Sequence, residues 1–303
     1  MALNVQPFGS FIASVDFSPE AKWLKISPSV SDLLGYEPQE LEGRPSLALI
    51  QPDEIDRVRM LHHDTILKDK VACLLYVRLR HKDPERGYIF CRVVRTIVHD
   101  LTFGSVSPAK VDAKAMYYAS TAEEVTNLSL IRELDFCRWH NPFPISPDSE
   151  ERDISSLTYN TLPRQSFRTA LILNRFSTHA PIESHSNNLF ITATNIDHRS
   201  FFDFVAERDE KLVLDLIDTI KTYGVDDQGQ PSDSYFCYGT FTLLTEGRSL
   251  LSRRQSRSIR GDATSRHTAA ASLDGDSITV DAVFQAQSDG LTVFLRRAVV
   301  QDH

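Results

Sequence analysis

Residues 27–44 read SPSVSDLLGYEPQELEGR, and this stretch decides the fold. Ser29 or Ser31 is placed to cap a short helix, because a serine hydroxyl accepts the orphan amide protons of a first turn. Val30, Leu33 and Leu34 give that helix one apolar face, and Gly35 ends it where a left-handed backbone carries no steric cost. Glu37-Pro38 starts a second helical turn with proline at its first position, and Leu41 packs back. The strand-like run Trp23-Leu24-Lys25-Ile26 feeds straight into this pair of turns.

Working outward, residues 9–17 and 22–27 read as two strands. Asp53 to Lys70 reads as a helix, with acids in its first turn and Ile55, Val58, Leu61 and Ile66 as its apolar stripe. Val71 to Arg80 alternates as a strand, with Val71, Cys73, Leu75, Val77 and Leu79 on one side. Tyr88 to His99 is another, with Ile89, Cys91, Val93 and Ile97 aligned, and Lys114 to Ser120 is expected to be the last strand of the set. The order predicts an α+β layer, an antiparallel sheet with helices on one face.

The stretch at 27–44 resembles the pattern S-x-S-V-x-x-L-L-G-Y-x-P-x-E-L-x-G of PAS domains, and the element order extends that resemblance to residues 9–120. Residues 121–166 read as a helix (Leu128 to Trp139) followed by a Pro-, Ser- and acid-rich linker. Residues 167–300 repeat the plan less closely. Arg168 to Phe176 begins a second strand set, and residues 185–191 take the place of the short helices. Glu207 to Tyr223 carries the stripe Leu212, Val213, Leu216, Ile217 and Ile220. Tyr235 to Leu244, Ser277 to Gln287 and Leu291 to Val299 are strands, the last two joined by the hairpin turn Ser288-Asp289-Gly290. This half is similar to a divergent PAS-like domain, and the pair resembles tandem PAS regions of fungal proteins, some of the white-collar type. Each domain is expected to hold a five-stranded antiparallel sheet. Residues 246–275, without apolar period, read as an inserted mobile loop.

The chain has 303 residues, enough for two domains, and 41% of them are hydrophobic, which supports packed cores rather than disorder. A net charge of −8 argues against a nucleic-acid surface spread over the whole molecule, though not against a local basic patch, and no DNA-binding motif is present, so no direct nucleic-acid contact is expected. No apolar run reaches membrane-spanning length and no signal peptide is evident, so no membrane association is expected. Cys73, Cys91, Cys137 and Cys237 show no metal or disulfide spacing, which fits an intracellular setting, nuclear or cytoplasmic. Phosphate loops, hydrolase elbows, zincin and kinase motifs are all missing, so no catalysis and no metal are expected.

The resemblance implies a ligand space between sheet and helices. Its candidate walls are Ile55, Val58, Leu61, Leu75, Val77 and Val93 in the first domain, and Leu216, Ile220, Phe241, Phe284 and Val293 in the second. The competing reading is that these side chains fill the core. The flavin-binding subset carries an Asn-Cys-Arg-Phe-Leu-Gln run that this chain lacks, so flavin is not expected. His62 and His63 fall where haem-binding relatives place an axial ligand, but a solvated helix face is the preferred reading and haem is not expected. Ser256 and Ser258, in the run SRRQSRSIR at 252–260, are phosphorylation candidates, with a targeting patch or a plain solvated loop as the competing readings. The family implies a partner, another PAS-containing protein or a second copy of this chain, docked on exposed sheet faces and on the Leu128 to Trp139 helix in signalling or transcriptional control. A small-molecule receptor without a protein partner is the alternative.

Overall fold

The computed structural model describes residues 9–110, 113–128, 157–225, 233, 235–248 and 277–299. The first half runs Phe11–Val15 (β1), Trp23–Ile26 (β2), Val30–Leu34 (α1), Pro38–Leu41 (α2), Ile55–Leu67 (α3), Cys73–Arg80 (β3), Tyr88–Val98 (β4), Leu101–Pro108 (β5), Ala113–Thr121 (α4) and Glu124–Asn127 (β6). The second runs Arg168–Leu173 (β7), Ile182–His185 (β8), Glu210–Tyr223 (α5), Cys237–Leu244 (β9), Ser277–Gln287 (β10) and Gly290–Arg297 (β11). The first sheet is ordered β2-β1-β5-β4-β3-β6 and the second β8-β7-β11-β10-β9. Without β6 the two orders are the same: the first two strands of each half lie beside its last strand.

The opening stretch folds as its turn chemistry dictates. Gly35 sits at φ 77 and its N–H bonds to the Ser31 carbonyl, closing α1. The backbone N–H of Glu37 donates to the Glu40 carboxylate at 2.8 Å, fixing the start of α2. The serine caps are not made. Ser29 Oγ donates to Asp289 in the second half at 2.5 Å, and Ser31 Oγ donates to the Pro28 carbonyl. A carboxylate acceptor outcompetes the weak dipole of a five-residue helix.

Several expectations are corrected. Lys114 to Ser120 is not the last strand but lies within α4, where Ala113, Ala115 and Ala119 favour helix. The last antiparallel strand is β5, whose small polar residues Thr102, Gly104, Ser105 and Ser107 hide its pattern because both its faces are covered. The first sheet has six strands rather than five, and β6 lies parallel to β3, since α4 supplies the crossover a parallel neighbour needs. In the second half, β8 takes up Ile182–His185, and the region of the expected short helices holds no α-helix, only a 3-10 turn at Phe201–Phe204 further on. In α5, Val213, Ile217 and Ile220 face the core, while Leu212 is exposed. Residues 129–139 of the expected connector helix and residues 249–275 of the expected loop lie outside the described residues.

Each half has its own core beneath one sheet face. In the first, Val30, Leu33, Leu34 and Val58 meet Leu75, Val77 and Val106; in the second, Phe201, Val213 and Ile217 meet Phe241, Phe284 and Val293. The opposite faces of the two sheets pack on each other. Ile12, Val98 and Phe103 meet Ala170 and Phe294, and Leu74, Val94 and Tyr118 meet Tyr235 and Phe236. The Phe103 and Phe294 rings cross edge to face at 5.6 Å. Polar ties frame this layer. Arg168 donates to both carboxylate oxygens of Asp69 and to the Asp69 and Ile97 carbonyls, and Arg92 pairs with Asp233. Ser27 joins Ser29 on Asp289. The sheet faces expected to be exposed for a partner are therefore covered within the chain, because each carries an apolar patch that the other half buries.

Candidate functional site

The first core is not completely filled. A cavity of about 100 Å³ lies between α3 and the sheet, bordered by Val58 and His62 of α3, Leu75 and Val77 of β3, Val93 and Arg95 of β4, and Thr102 and Gly104 of β5, with Trp23 at the β2 side. Of the predicted wall residues, the structure thus brings Val58, Leu75, Val77 and Val93 together around one space. Ile55 and Leu61 pack against the same core without bordering the cavity. In the second half Ile220, Phe241, Phe284 and Val293 are buried in the core, with Leu216 packed against it. There Phe201 meets Phe241 at 6.1 Å and Phe284 at 6.5 Å, so aromatic rings occupy the corresponding layer.

Arg95 is the residue that the sequence reading passed over. The inward stripe of β4 runs Ile89, Cys91, Val93 and Ile97, and Arg95 occupies the position that strict alternation leaves between the last two. A charge in phase with an apolar stripe was the available signal. Arg95 is 8% exposed, and its Nε and Nη2 have no hydrogen-bond partner among the described residues. Trp23 Nε1 and Thr102 Oγ1, on the same cavity, are buried and equally unpartnered. Gly104, paired with Arg95 across the sheet, admits no side chain: a Cβ there would meet the Val94 carbonyl oxygen at 2.0 Å.

His62 and His63 do not face solvent. They are 4% and 9% exposed, because Tyr159 from the segment after the first domain lies over both rings. His62 Nε2 donates to the Ser18 carbonyl at 3.2 Å, and His63 Nε2 lies 3.3 Å from the Thr158 carbonyl. Burial, reinforced by the Arg95 charge, drops the His62 pKa to about 4, while the Ser18 carbonyl and Asp16 oppose the shift. Burial pushes the Cys73 thiol up to about 12 and the Cys91 thiol higher than its ordinary value, so both stay protonated and unreactive.

A pH effect follows. The unfolded chain takes up the His62 proton near 6.5 and the folded chain near 4, so the contribution is full above pH 6.5 and is lost as pH falls toward 4. That loss is on the order of 3 kcal/mol. Urea unfolding of His62→Gln is expected to show a flatter pH dependence than the wild type between about pH 7 and pH 5. Parallel profiles for the two proteins would contradict the burial argument.

Among the described residues no group of three or more His, Cys, Asp or Glu side chains is placed to hold a metal ion, and no helix is long and apolar enough to cross a membrane. Ser256 and Ser258 lie outside the described residues.

The strand order, the helices on one face and the cavity between them define an α+β sensory-domain architecture. Residues 24–100 match the family model of the PAS fold, and this part of the chain is a PAS domain. The second sheet repeats its strand order and is PAS-like. No curated protein matches the chain. Among solved structures, it is similar to the PAS domain of the Cronobacter turicensis RpfR quorum-sensing receptor in complex with BDSF, at 13% identity and a TM-score of 0.30, over 35% of this chain and 99% of that one. It is also similar to the N-terminal domain of a Marinobacter aquaeolei diguanylate cyclase with PAS/PAC sensor, at 15% identity and a TM-score of 0.28, over 33% and 94%. A third is the Drosophila melanogaster Cycle W398A PAS-B domain with bound glycerol, at 19% identity and a TM-score of 0.28, over 33% and 99%.

Proposed function

We propose that this chain is a non-enzymatic PAS sensory module in signalling that admits a small, largely apolar ligand to the cavity of its first domain. One observation carries the reading: the first core leaves about 100 Å³ unfilled between α3 and the sheet, the same order as the roughly 150 Å³ cavity known to admit a benzene-sized molecule. The route to an output is physical. The cavity is bordered by β4 and β5, and the opposite faces of those strands, at Val94 and Phe103, contact the second half. A ligand with different affinity for two arrangements of β4 and β5 would bias how the halves dock. The reading requires neither flavin nor haem. It includes a protein partner, a PAS-containing protein or a second copy, meeting surfaces other than the two sheet faces occupied in the chain.

Melting in toluene-saturated buffer tests the cavity. The wild-type midpoint is expected to rise by mass action. Leu75→Phe, which projects extra volume into the open space, is expected to fold and to lose that rise. An equal response of the two proteins would overturn the reading.

A further inference from the structure

We propose that the ligand of this cavity carries a carboxylate on a short apolar body, and that the guanidinium of Arg95 receives it. The inference rests on the cavity reading above and adds the chemistry of the occupant. Three kinds of buried group border the space without a partner among the described residues: Arg95 Nε and Nη2, Trp23 Nε1 and Thr102 Oγ1. The guanidinium and the indole are donors only, and the hydroxyl is free to donate. The set asks for acceptor oxygens, and a planar guanidinium meets the two oxygens of a carboxylate in a fork. Most of the remaining lining, such as Val58, Leu75, Val77 and Val93, is apolar, with Ser46, His62 and Ser105 as the other polar residues. That combination excludes a cation, which Arg95 would repel, and disfavours an all-polar anion such as phosphate.

Among the described residues no acid forms an ion pair with Arg95. The charged and titratable groups that face it are His62 from α3, Cys73 from β3 and Glu124 from β6. Glu124 is held by Lys70. His62 and Cys73 are neutral at pH 7, with pKa values of about 4 and about 12. An unpaired buried charge is costly to a folded protein, and an incoming carboxylate removes that cost as it binds.

The test uses the full chain, wild type and Arg95→Met, titrated by calorimetry and followed by melting with four probes: hexanoate and benzoate, and their neutral counterparts hexanol and benzyl alcohol. The wild type is expected to bind a carboxylate probe more tightly than its alcohol, and Arg95→Met to lose roughly tenfold or more of that affinity. Without ligand, Arg95→Met is expected to melt no lower than the wild type, since it removes an unpaired charge. If the alcohols and toluene bind both proteins equally and the carboxylates do not bind, the cavity reading stands and the carboxylate assignment fails. If no probe binds, toluene included, the cavity reading fails and this inference with it. A ligand-free Arg95→Met that melts well below the wild type, with no difference between acid and alcohol, would show a structural arginine and overturn the proposal.

Discussion

Replacing Asp233 by alanine is expected to lower the unfolding free energy by about 3–5 kcal/mol, the cost of stranding a buried charge. Arg92 Nη2 lies 2.5 Å from Asp233 Oδ2, and the two side chains are 9% and 4% exposed. The guanidinium also lies 3.9 Å over the Tyr118 ring. Burial alone would lower the Arg92 pKa, but the Asp233 carboxylate reverses the sign and raises it. Without that carboxylate a full positive charge stays buried between the two sheets. The pair spans 141 positions, so the loss falls on the docking of the halves. Urea unfolding followed by intrinsic fluorescence is the measurement. The pair need not be favourable relative to an apolar one, because Asp233 Oδ1 has no partner among the described residues. The double replacement Arg92→Met with Asp233→Leu is therefore expected to recover most of the loss. A double variant as unstable as Asp233→Ala would refute the assignment of the cost to a stranded charge.

The second large effect is expected in the other core. Phe201→Ala should cost about 3–5 kcal/mol, the transfer term plus the hole left behind. Phe201 is fully buried, its ring meets those of Phe202, Phe241 and Phe284, and its N–H bonds to the Ala180 carbonyl. Backbone bonding on both sides limits collapse into the vacated space. The same urea experiment reads the loss, and toluene should then protect this variant as well by entering the new hole. A cost within about 1 kcal/mol would mean that the second core relaxes freely and is not packed as described.

The elements legible in the chain are those whose signal is local. Gly35 and Glu37-Pro38 specify a break and a restart whatever surrounds them, and the apolar runs of residues 73–80 and 277–287, with one face uniformly apolar, specify strands. β5 was not legible, because a strand covered on both faces and built from Thr102, Gly104, Ser105 and Ser107 lacks apolar alternation. Residues 114–120 read as a strand because they mix alanines with a Met-Tyr-Tyr run, and the crossover to β6 settles the choice in favour of helix. The candidate site was half legible. Val58, Leu75, Val77 and Val93 carry periodicity, but Arg95 reads as a solvated residue until the layer beneath it is known to be closed.

Periodicity and turn chemistry, which act over a few residues, are enough to predict two α+β halves, while the PAS character of the first rests on the resemblance carried by residues 27–44 and on the family match over residues 24–100. The assembled fold alone establishes that the sheets face each other, that His62 and His63 lie under Tyr159, and that the first core stays open beside an unpaired arginine. The reason is that burial is a property of pairs of surfaces: Arg92 and Arg168 have charged side chains that nothing local marks as interior until partners some hundred positions away close over them.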